Sequence, residues 1–217
     1  MTSGRIKVYR SVIVLMSLLI FLAGCGKGNG GNGSNMDGKS TSSAKTISWN
    51  KMPEMSIDLD KRYEATIRTT KGVFTMELFS DKAPVTVNNF VFLAKQGFYE
   101  GLTFHSVIES FMIQTGDPKG NGTGTAGYRI PDELDSEDKY TEGTVAMFNA
   151  GSPNSGSSQF FICTGPDAAN LNQQPNYTIF GKVNSGMEIV KAIASTPVKD
   201  GAPLTPVVVE SITIKES

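Results

Sequence analysis

Several short runs of the chain alternate apolar and polar residues, which is the pattern of strands that bury one face of a sheet. Within the run 73–79, V-F-T-M-E-L-F, the side chains alternate after the first residue. The run 63–69, Y-E-A-T-I-R-T, is rich in strand formers, and Lys71-Gly72 between the two runs predicts a tight turn and hence a hairpin. Further strands are predicted at 103–108, 112–115, 144–147, 159–163, 177–183 and 206–214.

Two segments have the spacing of helices rather than strands. The first opens at Ala83-Pro84, where proline is tolerated because the first turn needs no N–H partner, and Gly97 lies past its end. The second fits 187–194, whose apolar residues share one face. Many strands with two separated helices favour a mostly β fold, a closed eight-stranded antiparallel β-barrel capped by two α-helices.

The N-terminal residues have the pattern of an export signal. A basic stretch ends at Arg10, and the apolar run 12–23 that follows is shorter than the roughly 20 residues needed to span a bilayer. The run ends in Leu22-Ala23-Gly24-Cys25, which resembles a bacterial lipobox, the signal for lipidation of its cysteine. The pattern predicts a lipoprotein signal peptide at 1–24 and lipidation of Cys25. The alternative is an ordinary secretion signal with a chance cysteine.

The segment after this signal has a composition that does not form a core. Residues 26–43 are mostly Gly, Asn, Ser, Lys and Thr, and they bury too little apolar area to offset chain entropy. A flexible tether is therefore predicted at 25–60, and the folded domain at 61–217. Trp49 lies in the transition zone, where we expect a weak packing contact onto the domain.

The charge of the chain argues against binding of nucleic acid or of an anionic membrane surface by electrostatics. The net charge is −1 at pH 7, and removal of residues 1–24 leaves 17 basic against 21 acidic residues. The chain has two cysteines. If Cys25 is acylated, Cys163 has no disulfide partner, and its place in the apolar run 160–163 predicts a small buried core residue.

Residues 122–127, G-T-G-T-A-G, match the G-x-G-x-x-G pattern of dinucleotide-binding loops. That function needs a strand directly before the loop and a helix directly after it, whereas Pro131 argues against a helix here. A loop with a low profile beside a groove is the favoured interpretation, because glycines permit positive φ angles.

Three other segments carry a family resemblance. They are 104–117, F-H-S-V-I-E-S-F-M-I-Q-T-G-D, then 149–163, N-A-G-S-P-N-S-G-S-S-Q-F-F-I-C, and 171–183, L-N-Q-Q-P-N-Y-T-I-F-G-K-V. Together they resemble cyclophilins, the peptidyl-prolyl cis/trans isomerases, over residues 61–214. The resemblance implies isomerisation of X-Pro bonds by a monomer, with proline-containing polypeptides as partners and with no cofactor or metal.

The implied reaction fits the residue types. Rotation about a peptide bond faces a resonance barrier of about 18–20 kcal/mol. Binding the twisted state more tightly than either planar state lowers this barrier without a nucleophile. The site then needs an apolar socket for the proline ring and hydrogen bonds to the flanking backbone. The sequence shows no Ser-His-Asp or Cys-His constellation, and we interpret its one histidine, His105, as structural.

The resemblance assigns the site residue by residue. Positions that form the proline pocket match Phe111, Met112, Phe161 and Leu171, and positions that bond the substrate backbone match Gln114 and Asn149. Tyr177 takes the place of the family's pocket histidine, as in other bacterial members, and Phe148 takes a position usually held by a small residue. We assign the catalytic role to Phe111, Gln114 and Asn149, and substrate binding to Met112, Phe148, Phe161, Leu171 and Tyr177. Taken alone, Phe161 and Leu171 would more often be core residues.

Ser106 departs from the family pattern, because this position usually carries a catalytic arginine. Serine is short and neutral, and loss of one preorganised donor typically costs about 10²–10³ in rate. Ser106 therefore belongs to the catalytic set only by position. Arg129 and Lys119 are the candidates to replace the missing guanidinium.

Two functions stay open from the sequence. The first is a peptidyl-prolyl isomerase at the extracytoplasmic face of a bacterial membrane, anchored through Cys25, that assists the folding of secreted or cell-envelope proteins. The second is a catalytically weak or inactive chaperone or adaptor that binds proline peptides, which Ser106 motivates. A third class, the solute-binding lipoproteins, predicts a much longer two-lobed chain.

Overall fold

Eight predicted strands form one antiparallel sheet in a computed structural model, which describes residues 47–134 and 137–217. The strands are β1 Tyr63–Thr69, β2 Gly72–Leu78, β3 Ser106–Ile108, β4 Met112–Thr115, β5 Thr144–Met147, β6 Phe160–Cys163, β7 Ile179–Ser185, β8 Val198–Lys199, β9 Ala202–Pro203 and β10 Val209–Glu216. The helices are α1 Pro84–Lys95, a 3₁₀ helix Pro166–Gln173 and α2 Met187–Ala194. The sheet order is β10-β1-β2-β7-β5-β6-β4-β3, and β8 pairs with β9 in a separate hairpin. The fold is mostly β, as predicted.

Four strands begin later than the pattern of side chains indicated, and two of them, β6 at Phe160 and β10 at Val209, begin one and three residues after the predicted starts at 159 and 206. The strand predicted from residue 103 begins at Ser106, because Thr103 forms an isolated bridge with the chain before β10. The strand predicted from residue 177 begins at Ile179. Here the N–H of Tyr177 donates to the hydroxyl of Tyr140 at 3.0 Å, so that a side chain takes the place of a strand partner.

The predicted closed barrel is not confirmed. Within the described residues, the edge strands β3 and β10 form no ladder with each other, and the chain beside them makes only a short seam. In this seam the N–H of Gly101 donates to the carbonyl of Val209 at 2.8 Å, and the N–H of Val209 donates to the carbonyl of Leu102 at 2.8 Å. The N–H of Phe104 donates to the carbonyl of Val207 at 3.0 Å. Since β3 has only three residues, it does not extend the seam, and the sheet is curled rather than closed.

Strand β6 is buried on both of its faces, and this arrangement creates the candidate site. Side chains alternate along a strand, so Phe160 and Ile162 join the main core, whereas Phe161 and Cys163 belong to a second apolar cluster. Cys163 is buried, as predicted, and burial raises the pKa of its thiol to about 12. The half-buried residues of the second cluster are Phe79, Phe111, Met112, Phe148, Leu171 and Tyr177.

Helix α1 begins against a carboxylate from a distant loop. Glu133 accepts the N–H of Val85 at 3.0 Å and the N–H of Thr86 at 2.8 Å. These two donors have no partner inside the helix, and a negative charge at the helix N-terminus is favourable. The N–H of Glu133 in turn donates to the hydroxyl of Thr178 at 2.8 Å. The loop that carries Glu133 is thereby fixed between α1 and the start of β7.

Residues 47–60, the described part of the predicted tether, lie against the domain. The side-chain amide of Asn88 in α1 donates to the carbonyl of Glu54 at 3.0 Å and accepts the N–H of Ser56 at 2.9 Å. The predicted signal peptide at 1–24 and the predicted lipidation site Cys25 lie outside the described residues.

The described ranges hold no helix that is long and apolar enough to cross a membrane. In the same ranges, no group of His, Cys, Asp and Glu side chains is arranged to hold a metal ion.

His105 is a source of acid sensitivity in this fold. Both of its ring nitrogens are buried and lack a hydrogen bond within the described structure. Burial lowers the pKa of His105, and the Asp117 carboxylate and the Thr103 carbonyl oppose this effect only in part. The folded state therefore holds the neutral ring at a pH where the unfolded chain, with a pKa of about 6.5, already binds a proton.

We expect the free energy of unfolding to be fully retained above about pH 6.5 and to fall as the pH drops toward the lowered pKa of His105. Histidine is the side chain whose ordinary pKa lies near pH 6.5, and His105 is the single histidine of the chain. Thermal unfolding of the wild type and of His105→Phe, measured at about pH 7.5 and about pH 5, checks this. The variant should show the flatter dependence on pH, and an equal dependence in both proteins would contradict the assignment.

Candidate functional site

The register of the sheet places three predicted site residues in one row. Ser106 in β3 lies opposite Gln114 in β4, and Gln114 lies opposite Phe161 in β6. Residues that are directly opposite in an antiparallel ladder share a face of the sheet. The side chains of Ser106, Gln114 and Phe161 therefore all point to the face that carries the second apolar cluster.

A small cavity of about 60 Å³ opens on this face. Seven of the nine predicted catalytic and substrate-binding residues line it. They are Phe111, Met112, Gln114, Phe148, Phe161, Leu171 and Tyr177. These residues come from three separate stretches of the chain, and all but Gln114 present apolar or aromatic surface. Such a cavity suits one small apolar ring.

Aromatic contacts shape the walls of this cavity. The ring of Phe161 meets the ring of Tyr177 edge to face, with centroids 5.2 Å apart and an angle of 90°. The ring of Phe148 stacks on the ring of Tyr177, with centroids 6.4 Å apart and an angle of 15°. Offset-stacked and edge-to-face pairs are the favoured aromatic geometries. Phe148, the bulky residue at a position where a small one is usual, therefore adds a stacking surface.

The backbone of Tyr177 is held by a buried phenol. The hydroxyl of Tyr140 donates to the carbonyl of Tyr177 at 2.6 Å and accepts its N–H at 3.0 Å. Burial raises the pKa of Tyr140, so the hydroxyl keeps its proton and remains a donor. Tyr140 was not identified from the sequence, because it is a single tyrosine in a polar stretch and belongs to no motif or apolar repeat.

Gln114 is the polar group of the cavity and is itself 5% exposed. Its Nε2 donates to Oε1 of Gln159 at 2.9 Å, and Nε2 of Gln159 donates to the carbonyl of Gly124 at 2.7 Å. Within the described residues, no hydrogen bond reaches Oε1 of Gln114. The network thus fixes the orientation of Gln114 and leaves Oε1 as an acceptor without a partner among the described residues.

Asn149 does not line the proline-sized cavity. It lies in an adjacent cavity that shares Tyr177, and its Nδ2 donates to the carbonyl of Asn176 at 2.7 Å. Its Oδ1 accepts the N–H of Gly151 at 3.2 Å. In the described structure the side chain of Asn149 is therefore engaged within the protein, and its own peptide N–H and carbonyl are the groups left for a ligand.

Ser106 is half-buried beside Gln114 and does not line the cavity either. The seven lining residues include no arginine or lysine. Arg129 and Lys119, the candidates to replace the family arginine, are both exposed and line none of the cavities near Gln114. The cavity as described is apolar and uncharged.

The first four residues of the glycine loop (residues 122–127) line a second and larger cavity of about 280 Å³. Phe148 lines this cavity as well as the first and so forms the wall between them. No helix follows the loop, which contradicts a dinucleotide-binding fingerprint. Glycine is required at Gly124 for packing, because a Cβ there would collide with the carboxylate of Asp117. The loop lies beside a groove, as predicted.

Four residues of the second cavity were missed from the sequence, Ala150, Ser155, Ser157 and Gln159, of which the last two bond the glycine loop. Both lie in the quoted run G-S-S-Q-F-F-I-C, but a polar residue before a buried strand gives no sign of where its side chain points. Their hydrogen bonds to the glycine loop became visible only with the fold.

Comparisons with known proteins identify relatives of this chain. A family model described as cyclophilin type peptidyl-prolyl cis-trans isomerase/CLD matches residues 64–214. A peptidyl-prolyl cis-trans isomerase of Helicobacter pylori is 44% identical over 139 residues, which cover 63% of this chain and 83% of that protein. A peptidyl-prolyl cis-trans isomerase of Rhizopus delemar is 44% identical over 156 residues, covering 70% of this chain. The match spans only 24% of the length of that longer protein.

A solved structure has the same fold. It is a cyclophilin type peptidyl-prolyl cis-trans isomerase of Cryptosporidium parvum, crystallised in the presence of the dipeptide Ala-Pro. The two structures superpose with a TM-score of 0.65 at 33% identity, over 70% of this chain and 98% of the other.

Proposed function

This chain belongs to the cyclophilin family of peptidyl-prolyl cis-trans isomerases, and on that premise we propose that it isomerises X-Pro bonds in the cavity around Phe161 and Gln114. The observation that carries the proposal is the assembly of seven predicted residues, spread along the chain from Phe111 to Tyr177, into one small apolar cavity. The relatives are named isomerases, and no comparison favours binding without turnover.

In the proposed mechanism the proline ring enters the cavity and packs against Phe161 and the other apolar side chains that line it. Oε1 of Gln114 accepts a backbone N–H beside the proline, and the peptide groups of Asn149 bind the backbone on the other side. These contacts hold the two ends of the substrate while the X-Pro bond rotates between them. Rate enhancement then comes from tighter binding of the twisted state than of the planar states, with no covalent step.

Ser106 sets the efficiency of this mechanism. In the twisted state the prolyl nitrogen regains its lone pair, and a cationic donor near it would stabilise that state. The described cavity has no such cation, so we propose an isomerase that acts mainly through its apolar socket and its hydrogen bonds to the substrate backbone. Its turnover is accordingly slower than that of an otherwise similar site with an arginine.

We also propose that the enzyme works at the extracytoplasmic face of the membrane, on secreted or cell-envelope polypeptides. The support is the basic stretch, the apolar run and the sequence Leu22-Ala23-Gly24-Cys25. Lipidation of Cys25 would hold the domain at the membrane, and the part of the predicted tether before residue 47 would provide reach, because residues 47–60 lie against the domain.

Exchange NMR on a proline tetrapeptide tests the enzymatic proposal with the full chain. We expect cis/trans exchange faster than the uncatalysed process, which takes tens to hundreds of seconds. Line broadening at the proline would report binding in the same experiment. Folded protein that broadens the peptide signals but leaves the exchange rate unchanged would support the binding-only alternative and contradict catalysis.

Metabolic labelling with palmitate in a bacterial host tests the anchor. The wild type should incorporate label and sediment with membranes, and Cys25→Ala should lose both properties. Cys163→Ala is the matched control, because Cys163 is the other cysteine of the chain and is buried, so it should keep the label. Equal labelling of Cys25→Ala and the wild type would contradict lipidation at this residue.

A further inference from the structure

Residues 47–58, here called the strap, dock on the domain outside the part of the chain that the family model matches. The ring of Trp49 packs on Phe92 of α1 at 5.1 Å and on Phe98 at 6.0 Å, measured between ring centroids. Asn88 of α1 ties down the other end through its hydrogen bonds with Glu54 and Ser56. The strap is thus fixed at both ends to the same helix.

The strap also contacts the glycine loop directly. The N–H of Trp49 donates to the carbonyl of Ala126 at 2.8 Å. Next to it, Gly127 has a φ of +97°, and a Cβ at this position would collide with the carbonyl oxygen of Trp49. Only glycine therefore allows the strap to lie this close to the loop.

The glycine loop is in turn hydrogen-bonded to residues that line the two cavities. The N–H of Ala126 donates to Oγ of Ser157 at 3.0 Å, and Ser157 lines the larger cavity. The carbonyl of Gly124 accepts from Gln159, which in turn accepts from Gln114 in the proline-sized cavity. The loop is held by the strap on one side and by Gln159 on the other. Hydrogen bonds at both ends of the backbone segment 124–126 hence connect Trp49 with Gln114.

We infer that Trp49 is a positioning residue, whose docked strap holds the glycine loop in the shape that binds the substrate residues flanking the proline. The inference rests on the proposed isomerase function and extends it to a segment outside the matched family region. A glycine-rich loop without this support has more conformations to lose when a peptide binds, and preorganisation removes that cost. The proline-sized cavity is lined by no residue of the strap or of the glycine loop, so it depends less on the strap.

The test compares two ligands across four full-length proteins. We expect the dipeptide Ala-Pro to occupy only the proline-sized cavity, and a longer peptide with residues on both sides of Ala-Pro to contact the glycine loop as well. For Trp49→Ala we expect affinity for the longer peptide to fall by about tenfold. The reason is that one or two residues of the glycine loop must then be ordered when the peptide binds, and this ordering costs conformational entropy. Affinity for the dipeptide should stay close to that of the wild type.

Two variants accompany Trp49→Ala. Trp49→Phe keeps an aromatic ring against Phe92 and should restore most of the affinity for the longer peptide. Met55→Ala is the matched control, because Met55 lies on the same strap with 51% of its surface exposed, and it should behave as the wild type. Hydrogen exchange of residues 122–127 should be faster in Trp49→Ala than in the other three proteins.

Gly127→Ala provides a readout that keeps the tryptophan. Trp49 is the single tryptophan of the chain, so its fluorescence reports the position of the strap alone. A methyl group at residue 127 should push the strap away and shift the emission to longer wavelength. An unchanged emission would overturn the close contact on which the inference rests.

The outcomes separate this inference from the proposed function. If Trp49→Ala binds the longer peptide as tightly as the wild type, or loses affinity for both ligands equally, the positioning role is wrong. If the folded wild type binds neither ligand, the proposed function is wrong. The exchange rate of the glycine loop still decides the inference in that case, since equal rates in Trp49→Ala and the wild type would overturn it.

Discussion

Replacement of Ser106 by arginine should raise kcat/KM for a proline tetrapeptide by about 10²–10³-fold, the usual effect of one preorganised transition-state donor. The register explains why this position is decisive. Ser106 lies opposite Gln114, so an arginine there starts from the same face of the sheet and can extend toward the cavity. Ser106 is half-buried and makes no hydrogen bond of its side chain within the described residues, so little is lost on replacement.

Ser106→Met is the matched control for this gain, because methionine adds length without a donor. It should leave kcat/KM near the wild-type value, and peptide affinity should change little in either variant. The measurement is the protease-coupled rate for each protein under the same conditions. An arginine variant no faster than the wild type would mean that the donor is already supplied by another group or is not needed.

Replacement of Phe161 by alanine should lower kcat/KM by about 10- to 100-fold. Phe161 is 4% exposed and forms one side of the cavity against Tyr177. Full burial of an apolar side chain contributes about 1.5–3 kcal/mol, and each 1.4 kcal/mol corresponds to a factor of ten. The ring of Phe161 also contacts the proline ring of a bound substrate. Phe161→Ala removes this contact, so the variant should bind the peptide more weakly as well.

Ile162→Val distinguishes loss of the site from loss of the fold. Ile162 is the next residue of β6 and points into the main core, where the change typically costs about 0.5–1.5 kcal/mol of stability. Its kcat/KM should remain at the wild-type value. Both variants are compared by thermal unfolding and by the coupled rate at a temperature where each is folded. Equal loss of activity in the two proteins would show that β6 affects catalysis through stability rather than through the cavity.

The elements of the fold were predictable where a local period was present. The bounds of α2, of β4 and of β5 agree with the spacing of their apolar residues, because alternation and helical repeats are properties of neighbouring residues. The 3₁₀ helix was missed, since only Ala168 is buried in it and its sequence has no apolar stripe. The hairpin of β8 and β9 was missed because two residues per strand carry no period.

The candidate site also contains residues that were predictable from the sequence and residues that were not. Seven cavity residues were predictable by resemblance to a known family, but the catalytic roles of Ser106 and Asn149 remain predictions, because neither residue lines the cavity. Ser106 lies next to the cavity, and Asn149 lies in the adjoining one. The part played by Gln159 could not be predicted, because its partners Gln114 and Gly124 are 45 and 35 residues away along the chain.

By itself the sequence determined the mostly β architecture, the two helices, the family and the identity of the apolar cavity residues. Each of these follows from local periods or from motifs that are continuous along the chain. The tertiary structure alone decided that the sheet curls without closing, that Phe148 separates two cavities, and that the strap around Trp49 supports the glycine loop. These features depend on contacts between residues far apart along the chain, and such contacts exist only after the whole domain has folded.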